Sequence, residues 1–151
     1  MQYWLMKSEA DCYSIDDLKK DKTTPWTEVR NYQARNFMRE MKKDDKVLFY
    51  HSNGGDETGV VGEAKVSKLA FPDPTQFDKK GDYYDPKSDK ENPRWDCVEV
   101  RFVKKFKNPI YLSDLKNDPA FSDMTVVQKG NRLSVMPVNK KHFERIIKLA
   151  N

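Results

Sequence analysis

Three segments of this 151-residue chain end apolar runs in side chains able to hold a planar heteroaromatic guest. Tyr3-Trp4-Leu5-Met6 leads into Lys7-Ser8-Glu9, and Val47-Leu48-Phe49-Tyr50 leads into His51-Ser52-Asn53. Between them, Pro25-Trp26-Thr27-Glu28-Val29-Arg30-Asn31-Tyr32 sets an indole and a phenol among hydrogen-bonding groups. If the runs are strands of one closing sheet, the three segments converge on a pocket with an aromatic wall and directional polar groups. Such a pocket suits a nucleobase better than a metal or a fatty chain.

Each candidate has a second reading. Trp26 is either a stacking wall, worth roughly 1–3 kcal/mol per base, or a core tryptophan after a proline turn; its polar neighbours Arg30 and Asn31 favour the wall. Asn31 can read a base edge with two donors and an acceptor, or cap the helix that follows. Both hold if that helix N-terminus faces the ligand. Lys7-Ser8-Glu9 offers a charge, a hydroxyl and an acceptor, or is a solvated strand exit. His51 could pair with Glu9 or Ser52 in acid–base or nucleophilic chemistry, which makes an enzyme acting on a nucleic acid or nucleoside the alternative reading. A Ser-His device also needs an orienting acid and an oxyanion hole, and no nucleophile-elbow motif is present.

Two basic stretches complete the set. Residues 101–107, Arg-Phe-Val-Lys-Lys-Phe-Lys, interleave cations with aromatics, as a phosphate-tracking strand or a lysine-protected sheet edge would. Gly130-Asn131-Arg132-Leu133-Ser134 is expected to put Arg132 and Ser134 on one strand face. An inward arginine there needs an acid such as Glu9, or the ligand itself.

The elements that must position these groups are short. Apolar runs predict strands at 2–6 and 46–50. A third, at 58–69, places Val60, Gly62, Ala64 and Val66 on one face, and a fourth, at 95–105, alternates Val98, Val100 and Phe102 against Glu99 and Arg101. Helices are expected at 14–20, capped by Ser14, and from Tyr32 with Ala34, Phe37, Met38 and Met41 on one face. A C-terminal helix from Asn139 presents Phe143, Ile146, Ile147 and Ala150. Shorter pieces are a turn at Asn108-Pro109, a helix capped by Ser113, another within 119–128, and a last strand at 132–135. Residues 71–94 hold four prolines without apolar periodicity and read as a long irregular loop, of the kind that is functional or mobile. No repeat or linker divides the chain, so one domain over 1–151 of α+β class is expected, a barrel with peripheral helices.

Composition sets the outer bounds. Charged residues make up 34% and aromatics 12%, with mean hydropathy −0.92, which describes a small aromatic core under a wet surface. A net charge of +4 permits a polyanionic partner without requiring one. Cys12 and Cys97, with His51 and His142, match neither a zinc spacing nor a disulfide framework. No metal ligands, cofactor or catalytic residues are therefore expected. An apolar leader and a bilayer-length run are both missing, so a cytoplasmic location, or a nuclear one in a eukaryote, is expected.

Taken together and in order, these segments resemble the EVE domain of the PUA-like superfamily. The resemblance rests on residues 3–9, Tyr13-Ser14-Ile15-Asp16-Asp17-Leu18, Trp26 through Asn36, Phe49-Tyr50-His51-Ser52, Pro72-Asp73-Pro74-Thr75, Tyr83-Tyr84-Asp85-Pro86-Lys87, Pro93-Arg94-Trp95 and residues 130–134. It departs at Ala10, where the family commonly has proline. The resemblance implies a PUA-like pseudobarrel, kinship with YTH domains that cage a methylated adenine, and recognition of a modified nucleobase in DNA or RNA, modified cytosine foremost. By that likeness Trp26 is a cage wall and Trp95 a second cage aromatic. Ser8, Asn31, His51 and Ser52 contact the base edge or backbone, and Arg30 and Arg132 serve the pocket or the phosphates. With Lys7, Glu9, Tyr32 and Ser134 these form the expected ligand-binding set.

Overall fold

The computed structural model describes residues 1–151. In chain order the elements are β1 (Tyr3–Glu9), α1 (Ile15–Asp21), β2 (Thr23–Pro25), α2 (Tyr32–Glu40), β3 (Lys46–Ser52), β4 (Gly59–Pro72), β5 (Asp96–Tyr111), α3 (Leu112–Asn117), β6 (Val135–Val138) and α4 (Lys140–Ala150). The six strands form one sheet in the order β2-β5-β4-β3-β1-β6. Only β1 and β3 run parallel, in the register Tyr3↔Lys46 to Glu9↔Ser52. No helix is long and apolar enough to cross a membrane.

The central strands explain the apolar runs. A strand covered on both faces needs no polar side. Trp4, Met6, Val47 and Phe49 enter one core, while Leu5, Leu48 and Tyr50 enter the other. The first core also takes Ala64 and Val66 of β4, Val98 and Val100 of β5, Val135 of β6, and Trp26 just past β2. With every strand or its flank feeding it, the sheet must curl around this core, and α1 and α2 cover it through Ile15, Leu18, Ala34 and Met38. The outer core lies under Leu115 of α3 and Phe143, Ile146 and Ala150 of α4. The curled sheet stays open between its edges, β2 and β6.

Several expectations shift. Val60 belongs to the outer core and Ala64 and Val66 to the inner one, because register irregularities at Phe49/Tyr50 and around Val61 reverse the pleat. A Cβ on Gly62 would lie 2.6 Å from Ile15 Cδ1, so its smallness lets α1 sit on the sheet. β5 runs on through the expected turn at Asn108-Pro109. Its register jumps from Lys105 to Ile110 while β4 advances only from Gly62 to Val60, and Pro109 sits in that bulged stretch, where a missing N–H is tolerated. Tyr111, not Ser113, caps α3, and its N–H donates to Asp114 at 3.0 Å. The expected helix in 119–128 is two 3₁₀ turns, Pro119–Phe121 and Thr125–Val127, anchored by buried Phe121, Met124 and Val126. The last strand begins at Val135, where the buried side chains begin, so Arg132 and Ser134 precede it. The short edge strand β2, pairing Thr23↔Arg101 to Pro25↔Glu99, is not among the strands expected from the sequence.

Two buried polar groups lock the irregular segments. Asp73, fully buried, accepts from Glu28 N at 2.7 Å, Arg30 Nη1 at 3.1 Å, Thr75 N at 2.8 Å and Thr75 Oγ1 at 2.6 Å. Gln76, also fully buried, donates to the Asp73 and Trp95 carbonyls and accepts from Ser88 Oγ and Trp95 N, so its amide is saturated. Between them they give the 73–95 loop a fixed path, although its regular pieces are only the 3₁₀ turn Pro74–Phe77 and the bridge between Asp89 and Asn92. At the other end of the inner core, His51 Nε2 accepts from Ile15 N at 3.1 Å, satisfying one of the free N–H groups that begin α1.

Replacing Asp73 by alanine strands the Glu28 and Thr75 amides and the Arg30 charge, so urea denaturation should show a loss of about 3 kcal/mol; a change within experimental error would contradict the role given to this carboxylate. His51 supplies a pH dependence. Burial, with help from Lys105 and against Asp16, lowers its pKa from the ordinary 6.5, so the unfolded chain takes up a proton that the folded chain resists. The stability that neutral His51 contributes is complete above about pH 6.5 and is lost as pH falls toward the folded value. Melting temperature should therefore drop between about pH 7.5 and 5, and drop less in His51→Gln, whose amide oxygen can accept the same Ile15 N–H; equal slopes would rule this out.

Candidate functional site

A cleft of about 770 Å³ lies where the open edges face one another. That size is within the range of ordinary ligand sites, about 300–1,000 Å³. Its walls are the end of β1 (Lys7, Ser8, Glu9), the end of β3 and its exit (Ser52, Asn53), β2 and its continuation (Thr24 to Glu28), and the approach to β6 (Asn131, Arg132, Ser134). Cys12, Tyr13 and Tyr83 complete it.

Trp26 is placed by backbone before side chain. Its N–H donates to Val98 O at 2.7 Å, extending the pairing of β2 with β5. The chain then kinks: Thr27 N donates back to Pro25 O, and Glu28 adopts a left-handed φ of 75°. A non-glycine residue held there costs on the order of 1–3 kcal/mol, and the bond from Glu28 N to buried Asp73 holds it in place. The indole packs edge-on against Phe49 at 5.4 Å between centroids, and 7% of the residue stays exposed, on the cleft side. Trp26 is thus both a member of the inner core and the aromatic floor of the cleft.

The polar wall is partly committed and partly free. Ser8 Oγ donates to Tyr13 O at 2.7 Å, which leaves its lone pairs to accept. Asn53 Nδ2 donates to Glu9 Oε1 at 2.6 Å, tying the exits of β3 and β1 together. Burial pushes the Tyr13 phenol up to about 12, so it stays protonated and donates to Asp21 at 2.8 Å. Lys7, whose ammonium lies 5.5 Å from the Tyr50 ring centroid, has its pKa lowered by burial. Arg132 is exposed on the rim and forms no ion pair.

Of the expected ligand-binding set, the structure gathers Lys7, Ser8, Glu9, Trp26, Ser52, Arg132 and Ser134 around this cleft. The others stand elsewhere. Asn31 caps α2, its Oδ1 accepting from Ala34 N at 2.9 Å. Arg30 is turned to Asp73, Thr75 Oγ1 and the Tyr83 carbonyl, so it holds the loop that carries Tyr83. Tyr32 stacks on Trp95 at 4.9 Å, and the Trp95 Nε1 donates to Asp85. His51 has its Nε2 lone pair on Ile15 N, and Glu9 is engaged by Asn53. With each of those two groups committed to a different partner, the acid–base reading is not favoured. The basic 101–107 run lies on β5, where Lys105 meets Asp16 at 2.9 Å.

Thr24, Thr27, Tyr13 and Tyr83 also line the cleft, outside the expected ligand-binding set. The two threonines flank Trp26, which was the available signal. Tyr83 comes from the middle of an aperiodic loop and reaches the cleft through Arg30. No group of three or more His, Cys, Asp or Glu side chains is placed to hold a metal ion.

The model of the EVE domain family matches residues 2–149. Thymocyte nuclear protein 1 of Mus musculus is 42% identical over 97% of this chain and 73% of its own length. A crystal structure of a Pseudomonas syringae protein superposes with a TM-score of 0.94 at 44% identity, covering 99% of both chains. Human THYN1 protein in complex with 5-methylcytosine-containing DNA superposes with a TM-score of 0.93 at 39% identity, covering 100% of this chain and 98% of that one. The architecture is the PUA-like one that the sequence led us to expect, and the chain belongs to the EVE domain family.

Proposed function

We propose that this protein is a binding module for a modified nucleobase carried by a nucleic acid, with modified cytosine in DNA as the first candidate. The observation that carries the reading is the cleft itself: an indole floor that the core holds rigid, under a rim of serine, threonine and asparagine groups that can read a base edge. A close structural relative is described in complex with 5-methylcytosine-containing DNA, which supports the choice of guest. In this reading one base leaves its stack and enters the cleft, as enzymes and readers of single bases require. Its face lies along Trp26. Ser8, Ser52 and Ser134 serve as acceptors or donors at its edge, and Lys7 and Arg132 face the sugar-phosphate. Such a guest places the protein's work where DNA lies, in the cytoplasm of a cell without a nucleus or in the nucleus of one that has it.

The mechanism requires only binding. A preformed apolar floor gives stacking energy without new ordering, and the modification is selected by the fit of the pocket around it. The hydroxyls contribute direction, since an unmatched donor on a wrong base would be left unpaired.

Direct binding to strands that differ only in one 5-methylcytosine tests this. The modified strand should bind more tightly, and Trp26→Ala should weaken that binding about 10-fold or more. Because Trp26 also belongs to the core, Trp26→Phe is the companion variant: it keeps an aromatic ring there, costs less stability than alanine and shrinks the stacking face, so its affinity should fall between the two. A folded Trp26→Ala protein with the parent's affinity would end the proposal. Affinity should also decline as salt rises, by the share that phosphate contacts supply.

A further inference from the structure

A second groove, about 400 Å³, lies outside the cleft, between α2 and the 87–94 part of the long loop. Its lining is cationic: Arg35 and Arg39 from the helix, Lys87 and Arg94 from the loop, with Tyr32 at the edge. Two of the cations have acidic partners, Arg39 with Asp96 at 2.6 Å and Arg94 with Asp85 at 3.7 Å. The other two do not. Arg35 donates only to neutral acceptors, the Arg94 carbonyl and Asn36 Oδ1, and Lys87 forms no ion pair. The one acid in the lining, Asp89, accepts from the Glu91 N–H of its own turn. Burial above all, and then the neighbouring charges of Arg39 and Arg94 against that of Asp96, lower the Arg35 pKa, so like charges crowd here beside the pairs with Asp96 and Asp85. An anion seated in the groove would relieve that crowding.

The groove is joined to the cleft by a ladder of stacked groups. Tyr83, on the cleft wall, lies 5.6 Å from the Arg30 guanidinium, and Arg30 lies 5.5 Å from the Trp95 ring. Trp95 stacks on Tyr32 at 4.9 Å, and Arg35 covers Tyr32 at 4.7 Å. Tyr32 is half exposed at the edge of the groove. The ring faces of Trp95 and Tyr32 are taken by one another and by Arg30 and Arg35, so what the groove offers a strand is charge, which follows phosphates without reading sequence. A strand whose base sits over Trp26 leaves the cleft past Tyr83, and the ladder leads on from there.

We infer that the groove between α2 and residues 87–94 is a second, sequence-independent site for the phosphates of the strand flanking the base held in the cleft. It rests on the base-reading role proposed above, but it is tested separately because phosphate contacts do not depend on the modification. Arg35 and Lys87 are the cations available to it; Arg39 and Arg94, with Asp96 and Asp85, set its walls.

The test uses the whole protein, an unmodified DNA strand of roughly 12 nucleotides, and a trinucleotide centred on 5-methylcytosine. Lys87→Gln changes a side chain with no partner and should leave the fold untouched. Arg35→Gln is combined with it, and Arg35→Lys retains the charge while losing the fork that reaches Arg94. The double variant should bind the long strand about 5-fold or more weakly, and its log K against log salt should flatten by about 0.7 for each cation removed. Its affinity for the trinucleotide should be unchanged, and Arg35→Lys should recover most of the loss. An unchanged salt slope on the long strand would overturn the inference. Equal weakening on both ligands would overturn it too, because the groove would then only be supporting the cleft. If the parent fails to prefer the modified trinucleotide while the groove variants still flatten the salt slope, the base-reading proposal fails and the phosphate site stands.

Discussion

Asp73 is the constraint on which the binding surface depends. A carboxylate with no exposure is tolerable only when donors surround it, and here the donors come from two distant stretches of chain: Glu28 N and Arg30 on one side, Thr75 on the other. Satisfying the charge therefore also fixes a geometry. It bends the chain after β2 into the left-handed turn at Glu28, and so holds Trp26 between core and cleft. It also turns Arg30 inward to the Tyr83 carbonyl, which brings the far loop to the cleft wall. The strain at Glu28 and the burial of Asp73 would each be costly alone, and the bond that joins them makes both tolerable.

The sheet does the remaining positioning. Because β1 and β3 are parallel and covered on both faces, they end side by side in matching register, Ser8 opposite His51 and Glu9 opposite Ser52. The two polar exits of the apolar runs are therefore neighbours by construction. Alternation then assigns roles: Trp4 and Met6 face the inner core and Leu5 the outer one. The same two strands build both hydrophobic layers and deliver polar groups to one end.

What could be read in the residues follows from these physical facts. Doubly buried strands show as unbroken apolar runs, so β1 and β3 and their polar exits were visible. Amphipathic helices with side-chain caps were visible as well, at Ser14, Asn31 and Asn139. Hidden were the features decided by partners far away in sequence. β2 is three residues long and exists because β5 is beside it. Pro109 looked like a turn because a bulge in a register cannot be seen in one strand alone. Asn31 and Arg30 have the chemistry of base contacts, yet one spends its carbonyl on a helix end and the other its guanidinium on a loop. Residue type states what a group can do, and only the fold states which demand reaches it first. Tyr32 and Trp95, read as pocket aromatics, instead stack on one another beside the neighbouring groove.

The gap between β2 and β6 has a kinetic meaning. A guest entering through the wall of a fully closed barrel would have to break strand-to-strand hydrogen bonds, which makes that route slow and temperature-sensitive. Here the seam carries no ladder to break, and the floor beneath it is already packed. In the role proposed above, the slow step of capture then belongs to the visitor, in the unstacking that frees its ring.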